Sequence, residues 1–249
     1  MKLSIIIPVF NEEKTINSIL DLVEDELLKI SFIQKFEIII IDDASSDNSM
    51  EVLQQRTRHK SHFTLLSLKH NMGKGAAIRT GIAQSTGDIV LIQDADLEYD
   101  PKDYERLLGP LVDGKADVVF GSRFKGEISR VLYFWHFMGN RFLTFLSNMC
   151  TNLNLTDMET CYKAFRGEII RNMTLVSNRF GIEPEMTAKI SKLKGIRIYE
   201  VPISYFGRTY AEGKKINWKD GISAIWSIIK FNLLTTREES FAKDFRMFE

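Results

Sequence analysis

The chain has 249 residues, 44% hydrophobic and 27% charged, with 33 Lys plus Arg balanced by 33 Asp plus Glu. That balance is typical of a soluble globular protein with room for one large domain, and a net charge of zero excludes a nucleic-acid binder working by bulk electrostatics. Only residues 186–249 are biased, with 12 basic against 7 acidic side chains, a surplus that suits either an anion- or membrane-facing surface or an ordinary solvated basic face.

The opening run Leu3–Ile7 is broken at Pro8, too soon for a signal peptide, and reads as a buried strand. Further apolar runs rich in Ile and Val, at 36–41, 63–68, 89–92 and 118–120, predict strands. Helical patterns over 13–29, 48–58, 75–84 and 101–111 separate them. This alternation predicts an α/β fold, a mostly parallel central sheet flanked by helices. The stretch Ile38–Ile41 lacks polar alternation, as a strand buried on both faces should.

The second half is less regular. Helices are predicted over 135–152, 168–176 and 184–193, then a strand over 196–201, a polar loop over 204–216 and a final helix over 218–234. On that helix Ile222, Ile225, Trp226, Ile229 and Leu233 fall on one side. Such an amphipathic face packs on the domain or lies on a membrane surface. The stretch from Gly221 to Leu234 is shorter than the ~20 residues that span a bilayer. No repeat or linker interrupts the chain, so 1–234 reads as one domain and 235–249 as a polar tail. Cys150 and Cys161 have no disulfide or metal spacing, which predicts reduced thiols in a cytoplasmic protein.

In sheets of this kind ligands sit beyond the carboxyl ends of the strands. Residues 8–12, 42–47, 71–75, 94–98 and 121–125 should therefore converge on one rim. Asp94, Asp96 and Glu98 stand at alternate positions, which share a face where the chain is extended. Three like charges call for a cation, and oxygen ligands without nearby His or Cys point to Mg2+ or Mn2+. A solvated acidic turn before Pro101 is the plain alternative. Asp42 and Asp43 suit a ribose or a base N–H, while Ser46, Asp47 or Asn48 suits helix capping. The segment Asn71-Met72-Gly73-Lys74-Gly75 has neither P-loop spacing nor Gly-x-Gly-x-x-Gly. It reads as a tight turn into a helix, with Lys74 within reach of a phosphate.

Arg123 and Arg141 carry forks that suit phosphate oxygens, or are ordinary surface arginines. Asp157 and Glu159 place two acids in a loop. One can take a proton from a nucleophile, or both can belong to an acidic first helical turn. Glu183 and Glu185 flank Pro184 at a helix start, where the helix dipole favours acids. Arg208, Lys214 and Lys215 lie in a basic loop bounded by Gly207 and Gly213, able to close over a diphosphate.

As an ordered set, Ile5-Ile6-Ile7-Pro8-Val9-Phe10-Asn11-Glu12, Ile41-Asp42-Asp43-Ala44-Ser45-Ser46-Asp47, Asn71–Gly75, Asp94-Ala95-Asp96 and Gly121-Ser122-Arg123 resemble the family-2 glycosyltransferases of GT-A fold. In the second half Gly139–Thr144, Thr156–Lys163, Glu183-Pro184-Glu185 and Tyr205–Arg208 through Asp220-Gly221 are similar to the polyprenyl-phosphate hexose synthases, the dolichyl-phosphate mannose synthase group. The resemblance implies one GT-A, Rossmann-like domain. Its nucleotide-sugar and metal half would be 1–125, and its acceptor half with the closing loop 126–234.

The resemblance further implies that Pro8, Phe10, Glu12, Asp42 and Asp43 line the nucleotide pocket, with Lys74 beside it. Asp94 and Asp96 would form the metal-binding pair, and Glu98 stands where the mannose synthases often have Gln. Arg123 and Arg141 would bind the acceptor phosphate, and Arg208 and Lys215 would ride on the loop closing over the donor. The implied reaction is an inverting, metal-dependent transfer of a hexose from a UDP- or GDP-sugar to a polyprenyl phosphate. It would take place in the cytoplasm, at the cytoplasmic face of a membrane, with the membrane surface or a membrane protein as partner and no nucleic acid. A phosphate acceptor is already ionised at neutral pH and needs positioning rather than a base. A hydroxyl acceptor, as in glycan or cell-envelope synthesis, is the alternative, and Asp157 would then be the base. A non-catalytic nucleotide-sugar binding protein is the other alternative, which the intact carboxylates disfavour.

Overall fold

The run Ile5-Ile6-Ile7 lies fully buried at the centre of a seven-stranded sheet. The structure is a computed structural model, and it describes residues 1–209, 212 and 218–245. The strands are β1 (Lys2–Val9), β2 (Lys35–Asp42), β3 (Phe63–Ser67), β4 (Ile89–Ile92), β5 (Val118–Ser122), β6 (Lys163–Arg166) and β7 (Ile198–Pro202). Their order is β3-β2-β1-β4-β6-β5-β7. Only β6 runs antiparallel to its neighbours, β4 and β5; the other pairings are parallel. The mostly parallel sheet expected from the sequence is thus present, with one reversed strand. The sequence offered no sign of β6, because its four residues include Lys163 and Arg166. Lys163 is nevertheless buried: its Nζ donates to the Met158 and Thr160 carbonyls and lies 4.7 Å from the centre of the Phe120 ring.

The helices among the described residues are α1 (Ile16–Leu27), α2 (Ser49–Thr57), α3 (Lys74–Gln84), α4 (Tyr104–Val112), α5 (Phe134–Thr151), α6 (Gly167–Asn172), α7 (Ile182–Ile190), α8 (Trp218–Leu233) and α9 (Arg237–Ser240). Helix α1 buries Ile16, Ile19, Leu20, Val23 and Leu27, an apolar stripe at the helical period. Helix α5 ends at Asn152 in the left-handed region, φ 56°, a conformation asparagine tolerates better than most residues. From α5, Asn148 holds both backbone groups of Leu155, at 2.8 and 3.1 Å, and Thr144 accepts from Met158 N at 3.1 Å. The loop before β6 is therefore pinned to α5 at two points.

Strand β1 has β2 and β3 to one side and β4 to the other. It is the point where the winding of the sheet reverses, and ligands of open α/β sheets bind in the crevice there. Asp42 pairs with Val9 in register, and Gln93 N donates to Ile6 O just after β4 ends. The carboxyl ends of β1, β2 and β4 consequently open on a single rim.

Helix α8 meets α5 and α7 and buries Ala224, Ile228 and Phe231. Of the five residues predicted to form its apolar face, Ile222, Trp226 and Leu233 are exposed, while Ile225 and Ile229 are half-buried. Helix α5 adds exposed Phe134, Trp135, Phe142, Phe145 and Met149. Part of the segment expected to be a polar tail, the described residues up to Phe245, packs on the domain. Phe241 and Phe245 are buried and stack at 5.4 Å, and Ser240 O and Ala242 N bond to the backbone of Thr174 and Asn172 at 2.9 and 2.8 Å. The many charges around those two rings concealed them in the sequence. Among the described residues no helix is long and apolar enough to cross a membrane, and Cys150 and Cys161 are free thiols.

Candidate active site

The corner after β1 and β2 is tied together by short polar side chains. Asn11 N donates to Ser45 Oγ at 3.0 Å, Ser46 N to Asn11 Oδ1 at 2.8 Å, and Glu12 N to Ser49 Oγ at 2.8 Å. Pro8 and Phe10 are half-buried beside it. Asp42 is buried; its Oδ2 accepts from Ser45 N at 3.2 Å, and its Oδ1 has no partner among the described residues. An unpaired buried acceptor is costly, and this one suits a base or ribose donor. Asp43 is engaged differently. Its carboxylate accepts from Met72 N and Gly73 N, both at 2.7 Å, and from Asn71 Nδ2 at 3.1 Å. It shapes the next loop rather than offering a free acceptor.

That loop is the tight turn expected from its spacing. Gly73 has φ +97°, and a Cβ there would lie 2.5 Å from Asn178 O; one at Gly75 would strike Ser177 O. The two glycines let the turn lie flat on the backbone of 177–178, and Ala76 N bonds to Asn178 O at 3.1 Å. Lys74, which opens α3, is delivered between two acids, 2.9 Å from Asp94 and 3.2 Å from Glu183. Burial opposes its charge, but Asp94 foremost and Glu183 with it hold its pKa well above the usual lysine range.

Beyond β4 the chain is not extended. Leu97 has φ +61°, so the alternation that would put Asp94, Asp96 and Glu98 on one face is broken. Asp94 faces Lys74, while the other two surround Arg208. Arg208 Nη2 lies 2.7 Å from Asp96, and its backbone N and Nε lie 2.9 and 3.4 Å from Glu98. The guanidinium also reaches Glu12 at 3.4 Å. Tyr205 Oη donates to Glu98 at 2.8 Å. Burial, then the neighbouring Asp94 and Glu98 charges, push the Asp96 carboxyl up to about 7 despite Arg208.

Among the described residues no group of three or more His, Cys, Asp or Glu stands together in a geometry that would hold an ion. Magnesium-type sites, however, use one or two carboxylates and take the remaining oxygens from substrate phosphates. The Asp94–Asp96 pair offers only oxygen ligands, and burial with the Asp94 and Glu98 charges disfavours the Asp96 anion even beside Arg208, a strain a cation would relieve; the pair fits that pattern.

Arg123 follows β5 and is locked to Asp157. Its Nε and Nη2 donate to the two carboxylate oxygens at 2.6 and 2.8 Å, and its backbone N adds a third bond at 3.1 Å. Asp157 is 0% exposed, and Glu200 accepts from its backbone N at 3.0 Å and from Thr156 N at 2.8 Å. A carboxylate so fully committed is an anchor for the arginine and is poorly placed to take a proton from a nucleophile. Arg123 also lies over the Tyr205 ring, 5.1 Å from its centre. Arg141 stands exposed on α5, one turn beyond Phe137, whose ring packs edge-on against Phe124 at 5.3 Å. Lys214 and Lys215 lie outside the described residues.

Two acids beneath this rim carry more than their sequence context suggested. Glu183, read there as a helix-start acid, is the second partner of Lys74. Glu159 has a sealed Oε1 with no partner among the described residues, and burial, then the Glu183 charge, raise its pKa to about 8. The one signal available for Glu159 was its place in Asp157-Met158-Glu159-Thr160; Lys163 and Glu200, which hold that loop, gave none.

The family model described as "Glycosyl transferase family 2" matches residues 4–174. The chain is 28% identical over 214 residues to an undecaprenyl-phosphate 4-deoxy-4-formamido-L-arabinose transferase of Proteus mirabilis (strain HI4320), covering 86% of this chain and 62% of that protein. To the protein of the same name in Pseudomonas aeruginosa (strain LESB58) it is 29% identical over 212 residues, covering 85% and 59%. The chain thus spans about three fifths of the length of these curated relatives. Among solved structures, glucosyl-3-phosphoglycerate synthase of Mycobacterium tuberculosis shares the fold. Its complex with Mn2+, UDP and glucosyl-3-phosphoglycerate matches with TM-score 0.70 at 19% identity, over 93% of this chain and 80% of that one. Another structure of that synthase gives TM-score 0.71 with the same identity and coverage.

Proposed function

The chain belongs to glycosyl transferase family 2, and from that premise we propose that it moves a hexose from a UDP- or GDP-sugar to a polyprenyl phosphate with inversion. The observation that carries the reading is the gathering of an open base or ribose acceptor, Asp42, an acidic pair, Asp94–Asp96, and a cationic loop, Arg208, at the switch point of the sheet. The undecaprenyl-phosphate sugar transferases among its relatives support a polyprenyl phosphate acceptor. The Mn2+ and UDP bound by the solved neighbour support a divalent ion and a UDP-sugar.

In this reading Asp94 and Asp96 would hold Mg2+ or Mn2+, which would supply positive charge to offset the negative charge developing on the departing nucleoside diphosphate. Pro8, Phe10, Glu12 and Asp42 seat the nucleoside, and Asp43 fixes the turn that presents Lys74. Arg208 leaves Asp96 and turns to the diphosphate when the donor enters, with Lys215 on the same segment. Arg123, held by Asp157, and Arg141 receive the acceptor phosphate. That phosphate is already ionised near neutral pH, so placing it against the anomeric carbon matters more than removing a proton. The exposed apolar side chains of α5 and α8 rest on the cytoplasmic face of the membrane, where the acceptor lipid lies.

The test is a donor screen with Mg2+ or Mn2+, with and without a polyprenyl phosphate. Label from one UDP- or GDP-sugar should enter the organic phase, and Asp96→Ala should abolish that transfer. Nucleotide release without lipid labelling would move the acceptor to a hydroxyl, and failure to bind any donor would favour a non-catalytic protein.

A further inference from the structure

Three polar oxygens beneath the rim have no partner among the described residues: Glu159 Oε1, Glu183 Oε2 and Thr160 Oγ1. Glu183 is 3% exposed and Thr160 0%. Folded proteins rarely leave such atoms unsatisfied, and those that persist call for a functional reason. These three are held in place from outside. Lys163 Nζ bonds the carbonyls of Met158 and Thr160, the residues on either side of Glu159. Lys74 bridges Glu183 Oε1 to Asp94 and leaves Oε2 free. A single lysine thus links Glu183, with its unpaired oxygen, to the first acid of the Asp94–Asp96 pair. The Glu183 charge is also the largest single charge acting on Glu159, followed by Lys163, Arg123 and Asp157. Glu183 is tied through Lys74 to the carboxylates proposed to face the diphosphate, and Glu159 stands two residues beyond Asp157, the anchor of the arginine proposed to face the acceptor. The transferred sugar must lie between the same two groups.

We propose that Glu159, Glu183 and Thr160 form the subsite that reads the hydroxyl groups of the transferred sugar. The inference rests on the glycosyltransferase reading above. With its pKa raised to about 8, the Glu159 carboxyl holds its proton at neutral pH and can donate. Glu183, paired with Lys74 through one oxygen, accepts through the other. A sugar hydroxyl donates and accepts at once and satisfies both. An ammonium group does not fit, because Lys74, Lys163 and Arg123 already supply positive charge around the pair. A sugar lacking the matching hydroxyl leaves buried oxygens unpaired, the situation in which sites discriminate most strongly.

The test is calorimetric binding in the presence of Mn2+. The probes are UDP, UDP-glucose, UDP-galactose, GDP and GDP-mannose, with the deoxy analogues of whichever sugar binds best. The wild-type protein should bind one nucleotide sugar more tightly than its nucleotide. In Glu159→Ala that advantage should fall about tenfold while the nucleotide alone binds as before. Glu159→Gln keeps a donor and should retain most of the advantage, and one deoxy analogue should show no difference between wild type and Glu159→Ala. Thr160→Val, which removes the unpaired hydroxyl at nearly constant volume, provides a second variant should Glu159→Ala fail to fold, with the same selective loss of the sugar advantage expected. Equal weakening of nucleotide and nucleotide sugar, or no change in either, would overturn the subsite. Absence of any nucleotide binding by the wild type would instead bring down the glycosyltransferase reading, and the subsite with it.

Discussion

Replacing Asp157 by asparagine removes the negative charge that holds Arg123. The native carboxylate accepts three bonds, two from the guanidinium at 2.6 and 2.8 Å and one from the backbone at 3.1 Å. Asparagine keeps one acceptor oxygen and turns an amide N–H₂ toward a cation. Breaking a buried ion pair by removing one partner costs about 3–5 kcal/mol. The Arg123 side chain retains some contact with solvent and lies on the Tyr205 ring, which places the cost near the lower end, about 3 kcal/mol. In a chain of this size each kcal/mol moves Tm by about 2–4 °C, so scanning calorimetry should record a fall of about 6–12 °C. Transfer to a polyprenyl phosphate should slow by about tenfold, since Arg123 loses its fixed orientation but the acceptor needs no base. Asp96→Ala, by contrast, should abolish transfer. An Asp157→Asn protein with native Tm and activity as low as that of Asp96→Ala would refute this reasoning and make Asp157 the base.

Glu159→Gln should reveal a linked proton. The folded pKa is raised from 4.5 to about 8, so between those values the folded state holds a proton that the unfolded state has lost. The wild type must therefore lose stability as pH rises through that window, by at most about 5 kcal/mol. The Tm of Glu159→Gln relative to wild type should climb between pH 5 and pH 8.5; a constant difference would show that Glu159 does not titrate there. Gly75→Ala, whose methyl would strike the Ser177 carbonyl, should cost about 1–3 kcal/mol in denaturant unfolding, and an unchanged midpoint would contradict the close packing of the turn. Trp135 is 80% exposed and Trp226 57%, so Trp135→Glu with Trp226→Glu should leave Tm within about 1 °C while strongly reducing sedimentation with anionic liposomes. Unaltered sedimentation would remove α5 and α8 from the membrane-facing surface.

The strands of the first half were legible because β1, β2 and β4 are continuous apolar runs, as buried parallel strands must be. Strand β6 was not, since a four-residue strand beginning with a buried lysine carries no such run. The rim was legible from the polar residues that follow the strands; how each is used was not. Asp42 and Asp43 are neighbours of one type, yet one leaves an oxygen free and the other binds a loop. The regular spacing of Asp94, Asp96 and Glu98 suggested a shared face, but spacing does not reveal the left-handed turn at Leu97. Partners distant in sequence, such as Lys74 with Glu183 and Arg208 with Glu12, become visible only once the chain is folded.

The buried C-terminal segment reaches farther than its position implies. Ser240 and Ala242 bond to Thr174 and Asn172, Glu185 holds Val176 N and Ser177 N, and Asn178 O receives Ala76 N. The last helix and its two phenylalanines thus buttress, through one short strap, the turn that carries Lys74 to Asp94. Proteolytic removal of residues 235–245 should therefore act as a remote lesion. It would take away no group from the rim, yet it would slacken the seat of the lysine and weaken nucleotide capture from the opposite end of the chain.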